Sequence, residues 1–161
     1  MNYLQALILA IIEGLTEFLP VSSTGHMVIA SSIMGIATDD FVKLFTIAIQ
    51  LGAILAVVVV YWKKFINLNS FAFYVKLAIA VVPALLFGYL LNDFIDNKLG
   101  NPIFIAVILL LGGIVLLFID KLFKNPTVND ESKITNATAF KIGLYQVLAV
   151  CFPGLSRSAA T

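Results

Sequence analysis

The sequence predicts an all-α, polytopic membrane protein: an inverted repeat with re-entrant helical hairpins, its second repeat incomplete. Three observations predict it. Of 161 residues, 61% are hydrophobic and only 12% charged, where ordinary soluble domains carry about 25% charge; the mean hydropathy is +1.04. Three apolar runs are long enough to cross a bilayer. A fourteen-residue stretch, EGLTEFLPVSSTGH from Glu13 to His26, places two acids, a run of hydroxyls and an imidazole in apolar surroundings, and a related stretch, PGLSRSAAT from Pro153 to Thr161, follows near the end.

The bulk properties also exclude. A net charge of +1 with no basic run argues against a nucleic-acid partner. One cysteine, Cys151, permits neither an intrachain disulfide nor a cysteine-based zinc cluster. The N-terminus lacks a basic n-region and leads into acids, so it does not read as a cleavable signal.

Taken in order, Leu4 to Leu19 is sixteen residues, about 24 Å as a helix and short of a hydrocarbon core of about 30 Å. A helix, a break at Pro20 to Ser23 and a returning helix to about Gly35 make a re-entrant hairpin, whose irregular tip is tolerated where protein or a water-filled cavity surrounds it. Asp39 and Asp40 mark a return to water. Leu44 to Trp62 is a charge-free span closed by an aromatic belt at Tyr61 and Trp62 and by Lys63 and Lys64. Its one strongly polar interior residue, Gln50, is expected to make a helix-to-helix hydrogen bond. Leu77 to Leu91 is a second span with a kink expected at Pro83, and Asn92 to Pro102 reads as a polar loop. Ile103 to Ile119 is a third span, with Gly112 and Gly113 permitting close helix approach, and Asp120 to Asn136 is a solvated linker.

Placing Ser23 on Ser156 gives an offset of 133 (156 minus 23) that also sets Pro20 on Pro153, Glu13 on Gln146 and Ala6 on Ala139. Residues 1–136 are thus expected to form one membrane repeat and 137–161 the start of a second. Three crossings between the copies invert the second hairpin, and the two motifs are expected to meet near the midplane. Two full copies need about 266 residues, twice the offset, so the chain is expected to be an N-terminal portion. Lys63, Lys64 and Lys76, then Lys121, Lys124, Lys133 and Lys141, flank alternate loops, whereas Lys98 stands alone beside Asp93 and Asp96. The positive-inside rule puts loops 63–76 and 120–136 in the cytoplasm, so the first hairpin dips in from the outer face.

Before Pro20, Glu13 and Glu17 are four apart and share a helix face. Ser22, Ser23 and Thr24 precede an apolar run and suit an N-cap, giving a helix mouth that favours anions. With the second motif, the set becomes Glu13, Glu17, Ser22, Ser23, Thr24, His26, Ser156, Arg157, Ser158 and Thr161, flanked by Gly25 and Gly154. That inventory suits phosphoryl chemistry. Arg157 offers a planar fork for phosphate, and two carboxylates facing a diphosphate call for a divalent cation, Mg²⁺ or Ca²⁺, on Glu13 and Glu17. Ser23 can attack with His26 as base or as acid for the leaving group, or His26 or Glu17 can activate water; the residues leave this open. Singly, each has a plainer reading: Arg157 as a snorkelling topological residue, His26 as a first-turn residue, the serines as caps.

EGLTEFLPVSSTGH and PGLSRSAAT, together with IQLGAILAVVVVYW from Ile49 to Trp62, resemble the bacterial undecaprenyl-diphosphate phosphatase family, the integral-membrane bacitracin-resistance proteins. The resemblance implies a multi-pass protein of the bacterial cytoplasmic membrane that hydrolyses a polyprenyl diphosphate to its monophosphate at a site facing outside, recycling the lipid carrier for cell-wall synthesis. It implies roles in activity for Glu13, Glu17, Ser23, His26, Ser156, Arg157 and Thr161. Of these, Glu17, Ser23, His26 and Arg157 are the expected catalytic set; Ser22, Thr24, Gly25, Gly154, Ser156, Ser158 and Thr161 are expected to hold substrate. Membrane lipid surrounds the protein, and a homo-oligomer is compatible with the sequence. The rival from another class is an inverted-repeat transporter or flippase for an anionic lipid or solute, which needs an anion site but neither nucleophile nor base.

Overall fold

The computed structural model describes residues 1–66, 71–99, 101–122 and 134–160, with the side chains of 64, 65, 96–99, 120–122 and 159 excepted. Thr161, Lys124 and Lys133 lie outside the described residues, as do the side chains of Lys64, Asp96, Lys98 and Lys121. Every element among the described residues is helical: α1 Tyr3–Thr16, α2 Ser23–Ile33, α3 Asp40–Val60, α4 Trp62–Ile66, α5 Phe71–Leu90, α6 Asn92–Leu99, α7 Pro102–Leu122, α8 Asn136–Cys151 and α9 Arg157–Ala160. Three of them, α3, α5 and α7, are long and apolar enough to cross a membrane, and only 6% of each apolar window is buried inside the protein. Surfaces so apolar and so exposed belong in lipid. The chain is an all-α, multi-pass membrane protein.

Local chemistry explains the first hairpin. Asn2 caps α1 in a capping box with Gln5. The helix stops at Thr16, three residues before the expected Leu19, because Pro20 has no N–H and disfavours helical dihedrals in the residue before it. Thr16 Oγ1 meanwhile donates to the Ile12 carbonyl at 2.6 Å. α2 ends in a Schellman motif: Gly35 at φ 69° lets Gly35 N–H reach Ser32 O and Ile36 N–H reach Ser31 O, at 3.0 and 2.9 Å. Leu9, Met27 and Val42, one from each of α1, α2 and α3, form the buried seam that ties the hairpin to the first span. Asp39 caps α3 at the Phe41 amide and pairs with the N-terminal ammonium at 3.2 Å. The amide first, then the ammonium, holds the Asp39 carboxyl below the usual carboxylate range, so this support is present above that range and is lost as pH falls through the lowered value.

One expectation changes. Asn92 to Pro102 is not simply a polar loop: α6 occupies Asn92–Leu99, almost continuous with α5 through the Ile95 N–H to Leu91 O bond. Asp93 in its first turn suits the helix dipole, and α6 packs against α5, α7 and α8. Pro83 lies inside α5 and is buried. Its ring packs on α8 at Gly143, and α5 and α8 make the most extensive helix contact among the described residues. Gly143 makes that contact possible.

The second hairpin echoes the first. α8 begins at Asn136 and α1 at Tyr3, again 133 apart (136 minus 3). Thr135, equivalent to Asn2, caps α8 by accepting from Thr138 N, equivalent to Gln5 N. Helix, cap and proline break thus recur in register.

A methyl group at Gly143 would run into the Ala80 carbonyl and come within 3.0 Å of Pro83 Cγ. Gly143→Ala is therefore expected to lose about 1–3 kcal/mol by overpacking, read as a lower thermal midpoint in detergent. Gly52→Ala, where a Cβ meets nothing within 4 Å, is expected to keep the parent midpoint.

Candidate active site

The two breaks meet. After Thr16 the backbone turns through Glu17–Ser22, and Glu17, as the C-cap, keeps helical dihedrals and so stays on the face that carries Glu13. Ser22 takes φ 62°, rare and strained for a non-glycine residue. This conformation turns both of its oxygens onto α2: Ser22 Oγ accepts from Gly25 N–H at 3.3 Å, and Ser22 O accepts from His26 N–H at 3.2 Å. The second break brings α9 alongside. Ser158 Oγ donates to Leu19 O at 3.3 Å, and Ser156 Oγ and Ser158 Oγ share a hydrogen bond of 2.9 Å.

The side chains form a connected cluster. Ser23 Oγ donates to Glu17 Oε2, and the other Glu17 oxygen lies 3.8 Å from Arg157 Nη2. Glu17 is nearly buried and Arg157 mostly exposed. A hydroxyl, a carboxylate and a guanidinium from two separate motifs are thereby strung together, with Arg157 facing out. His26 is placed differently from a serine-activating base. Its Nδ1 lies 2.9 Å from Ser22 O; a carbonyl only accepts, so Nδ1 carries the proton, and in the neutral ring Nε2 keeps its lone pair. Ser23 is therefore bonded to Glu17 and not to His26.

Glu13 stands apart. It is 2% exposed, and neither carboxylate oxygen has a hydrogen-bond partner among the described residues. Glu17, Ser23 and Arg157 act on it electrostatically. A buried carboxylate with no donor is costly, and such an atom invites a cation. The oxygen donors of Glu13 and Glu17 suit Mg²⁺ or Ca²⁺, and two protein carboxylates match the way Mg²⁺ is held, with water and substrate phosphates supplying the rest.

Thr24 Oγ1 accepts from Gln50 Nε2 at 3.1 Å, the helix-to-helix bond expected of Gln50. Gly25 and Gly154 are where backbones approach. A Cβ on Gly25 would lie 3.5 Å from Gly154 Cα, and one on Gly154, at φ 104°, would lie 2.7 Å from Ile105 O. Here α7 supports both breaks. Gly112 likewise admits Leu155, whose Cδ1 would stand 3.3 Å from an added Cβ, whereas Gly113 faces open space. A cleft of about 280 Å³ opens beside the breaks, lined by His26, Ser156, Gly154, Pro20 and the Leu109 and Gly113 face of α7. Glu13, Glu17 and Ser23 are not part of its lining. An apolar groove of about 220 Å³ continues from it along α7, from Ile108 to Ile119, flanked by Phe152 and Leu155. Sequence reasoning did not single out Ser22's strained conformation, which carries no residue-type signal, nor Leu19's carbonyl as a partner of the second motif.

Fold and site define a class: a multi-pass helical membrane protein whose ionisable groups gather where two broken hairpins touch. The chain belongs to the family described as bacitracin resistance protein BacA, whose model matches residues 6–161. It is 59% identical over 162 residues to an undecaprenyl-diphosphatase of Flavobacterium johnsoniae, covering 100% of this chain and 60% of that protein. It is 58% identical over 161 residues to one of Flavobacterium psychrophilum, with 100% and 59% covered, and 50% identical over 177 residues to one of Porphyromonas gingivalis, with 100% and 62% covered. The chain thus spans about 60% of the length of these relatives.

Replacing Glu13 by Gln removes a buried carboxyl group that has no hydrogen-bond partner among the described residues, so Glu13→Gln is expected to raise the thermal midpoint in the presence of chelator. A midpoint equal to or below the parent's would mean that the carboxyl group is compensated.

Proposed function

We propose that the full-length protein is an integral-membrane phosphatase that hydrolyses undecaprenyl diphosphate to undecaprenyl phosphate and inorganic phosphate, recycling the lipid carrier for cell-wall synthesis. The observation that carries this reading is the Ser23–Glu17–Arg157 cluster formed across the two breaks. The names of the Flavobacterium and Porphyromonas relatives support the substrate. The apolar groove along α7 supports an amphiphile, with its phosphates at the breaks and its tail on α7.

In this reading Glu17 takes the proton from Ser23 as Ser23 Oγ attacks the terminal phosphorus. The bond from that phosphorus to the bridging oxygen breaks, and the prenyl monophosphate leaves. Water then cleaves the phosphoserine, releasing inorganic phosphate and restoring Ser23. Arg157 holds phosphoryl oxygens in its fork as charge shifts onto them. His26, oriented by the Ser22 carbonyl, supplies or takes the proton on the leaving side through Nε2. Glu13, with Glu17, would hold the divalent cation, which when bound supplies charge stabilisation to the phosphates. Ser156, Ser158, Ser22 and Thr24 add hydroxyl donors around the anion, and Thr161 follows from the resemblance.

The protein lies in the bacterial cytoplasmic membrane, with the first hairpin entering from the outer face, the second inverted and the site open to the outside. Residues 1–136 make up one membrane repeat and 137–161 begin the next, in register with the recurring caps at Asn2 and Thr135.

Phosphate release from a long-chain prenyl diphosphate by the purified full-length protein tests the reading. Ser23→Ala is expected to abolish turnover, and Arg157→Lys to lose at least about tenfold, because a charge-assisted hydrogen bond is worth about 1.5–3 kcal/mol and lysine offers no fork. Full activity in either variant counts against the assignment. Exhaustive chelation is expected to stop hydrolysis. Mg²⁺ or Ca²⁺ is expected to raise the thermal midpoint of the parent and not that of Glu13→Gln; equal shifts in both would remove Glu13 from the cation site.

A further inference from the structure

Gln50 lies midway along α3, ten residues from either end of a helix built almost wholly of apolar side chains. An amide at that depth is costly unless it is bonded, and its bond goes to Thr24 Oγ1 at 3.1 Å. A purely structural link could run in either direction. Here it runs one way: the Gln50 NH₂ donates, so the Thr24 oxygen accepts, and the Thr24 hydrogen must be given to something else. Among the described residues no acceptor takes it. Thr24 is the second residue of α2, flanked by Ser23, committed to Glu17, and by Gly25, whose amide is committed to Ser22. It sits in the first turn, where helix N–H groups face outward and an anion is favoured.

We propose that Gln50 is a positioning residue that holds the Thr24 hydroxyl as a donor to a phosphoryl oxygen bound at the start of α2. The proposal rests on the phosphatase reading. By accepting from Gln50, the hydroxyl is barred from pointing its oxygen at the anion, so a span that never touches substrate sets the polarity of one contact. An interaction of this kind is made with bound substrate and transition state alike, so its loss raises KM and leaves kcat nearly unchanged.

Gln50→Glu separates direction from packing. The side chain keeps its length and the bond to Thr24 survives, but a carboxylate accepts, so the Thr24 hydrogen turns to α3 and away from the anion. In the full-length protein, phosphate release from a prenyl diphosphate by Gln50→Glu is expected to show KM about tenfold higher, about 1.4 kcal/mol, with kcat within about twofold. Thr24→Val is expected to raise KM similarly, and Gln50→Glu to add nothing to it; Thr24→Ser is expected to restore KM. Should Gln50→Glu fail to accumulate in membranes, Gln50→Met is read instead, with KM roughly threefold higher in the parent and unchanged in the Thr24→Val background. An unchanged KM, or an equal rise in the Thr24→Val background, overturns the role of Gln50 while leaving the phosphatase reading in place. A parent protein that releases no phosphate overturns the phosphatase reading itself and the role of Gln50 with it.

Discussion

A helix that ends leaves backbone donors and acceptors without intrahelical partners, and in a membrane protein other protein groups must take up those that water does not reach. The rest of this structure depends on how that constraint is met. Ser22 turns into a left-handed conformation to put one oxygen on the Gly25 amide and the other on His26. The Leu19 carbonyl, left over from the first break, is taken by Ser158 from the second. The first break therefore takes one of its partners from the second. Gly25 and Gly154 bring the backbones into contact, and Ile105 of α7 backs them. The same requirement that makes a break tolerable in lipid brings the two sets of polar side chains together.

What gathers there is not arranged for stability. Glu17 is tied on one side to Ser23 and faces Arg157 on the other, while Glu13, four residues and about one turn earlier in α1, is buried without a donor. A buried carboxyl group that lacks a hydrogen-bond partner weakens a fold, and strain at Ser22 adds to the cost. Both lie within the same few residues as the candidate chemistry. The surrounding packing over-determines them: Leu9, Met27 and Val42 lock α1, α2 and α3 together, and α5 grips α8 through Gly143 and Pro83. Outside these seams the chain is poorly covered by itself, with side chains such as Leu85, Leu110 and Leu117 more than half exposed. In a bilayer that exposure is the expected state of a lipid-facing surface.

Much of this was legible in the residues. The three spans, the break at Pro20, the return at Gly35 and the matching break at Pro153 follow from apolar run length, from proline's missing N–H and from glycine's freedom at positive φ, all local properties. The reading of Asn92 to Pro102 as loop missed α6, because a short helix flanked by polar residues is stabilised by packing on α5, α7 and α8 and not by its own composition. The inventory of the candidate site, down to Glu13, Glu17, Ser23, His26 and Arg157, was also in the sequence, since ionisable groups amid apolar neighbours announce themselves.

The pairing of those groups was not. Whether Ser23 would face His26, three residues on, or Glu17, six residues back, depends on how the chain turns between Glu17 and Ser22, and nothing in the residue types dictates a serine at φ 62°. That Glu13 would be left without a partner, that Gln50 would reach Thr24, and that Leu19 would be satisfied from 139 residues away are likewise facts of packing. The sequence by itself determined which groups must be kept from lipid, because their desolvation cost is a property of each residue. Tertiary structure alone decided which partner each one found, because hydrogen bonds act over about 3 Å and only the folded backbone brings distant residues that close.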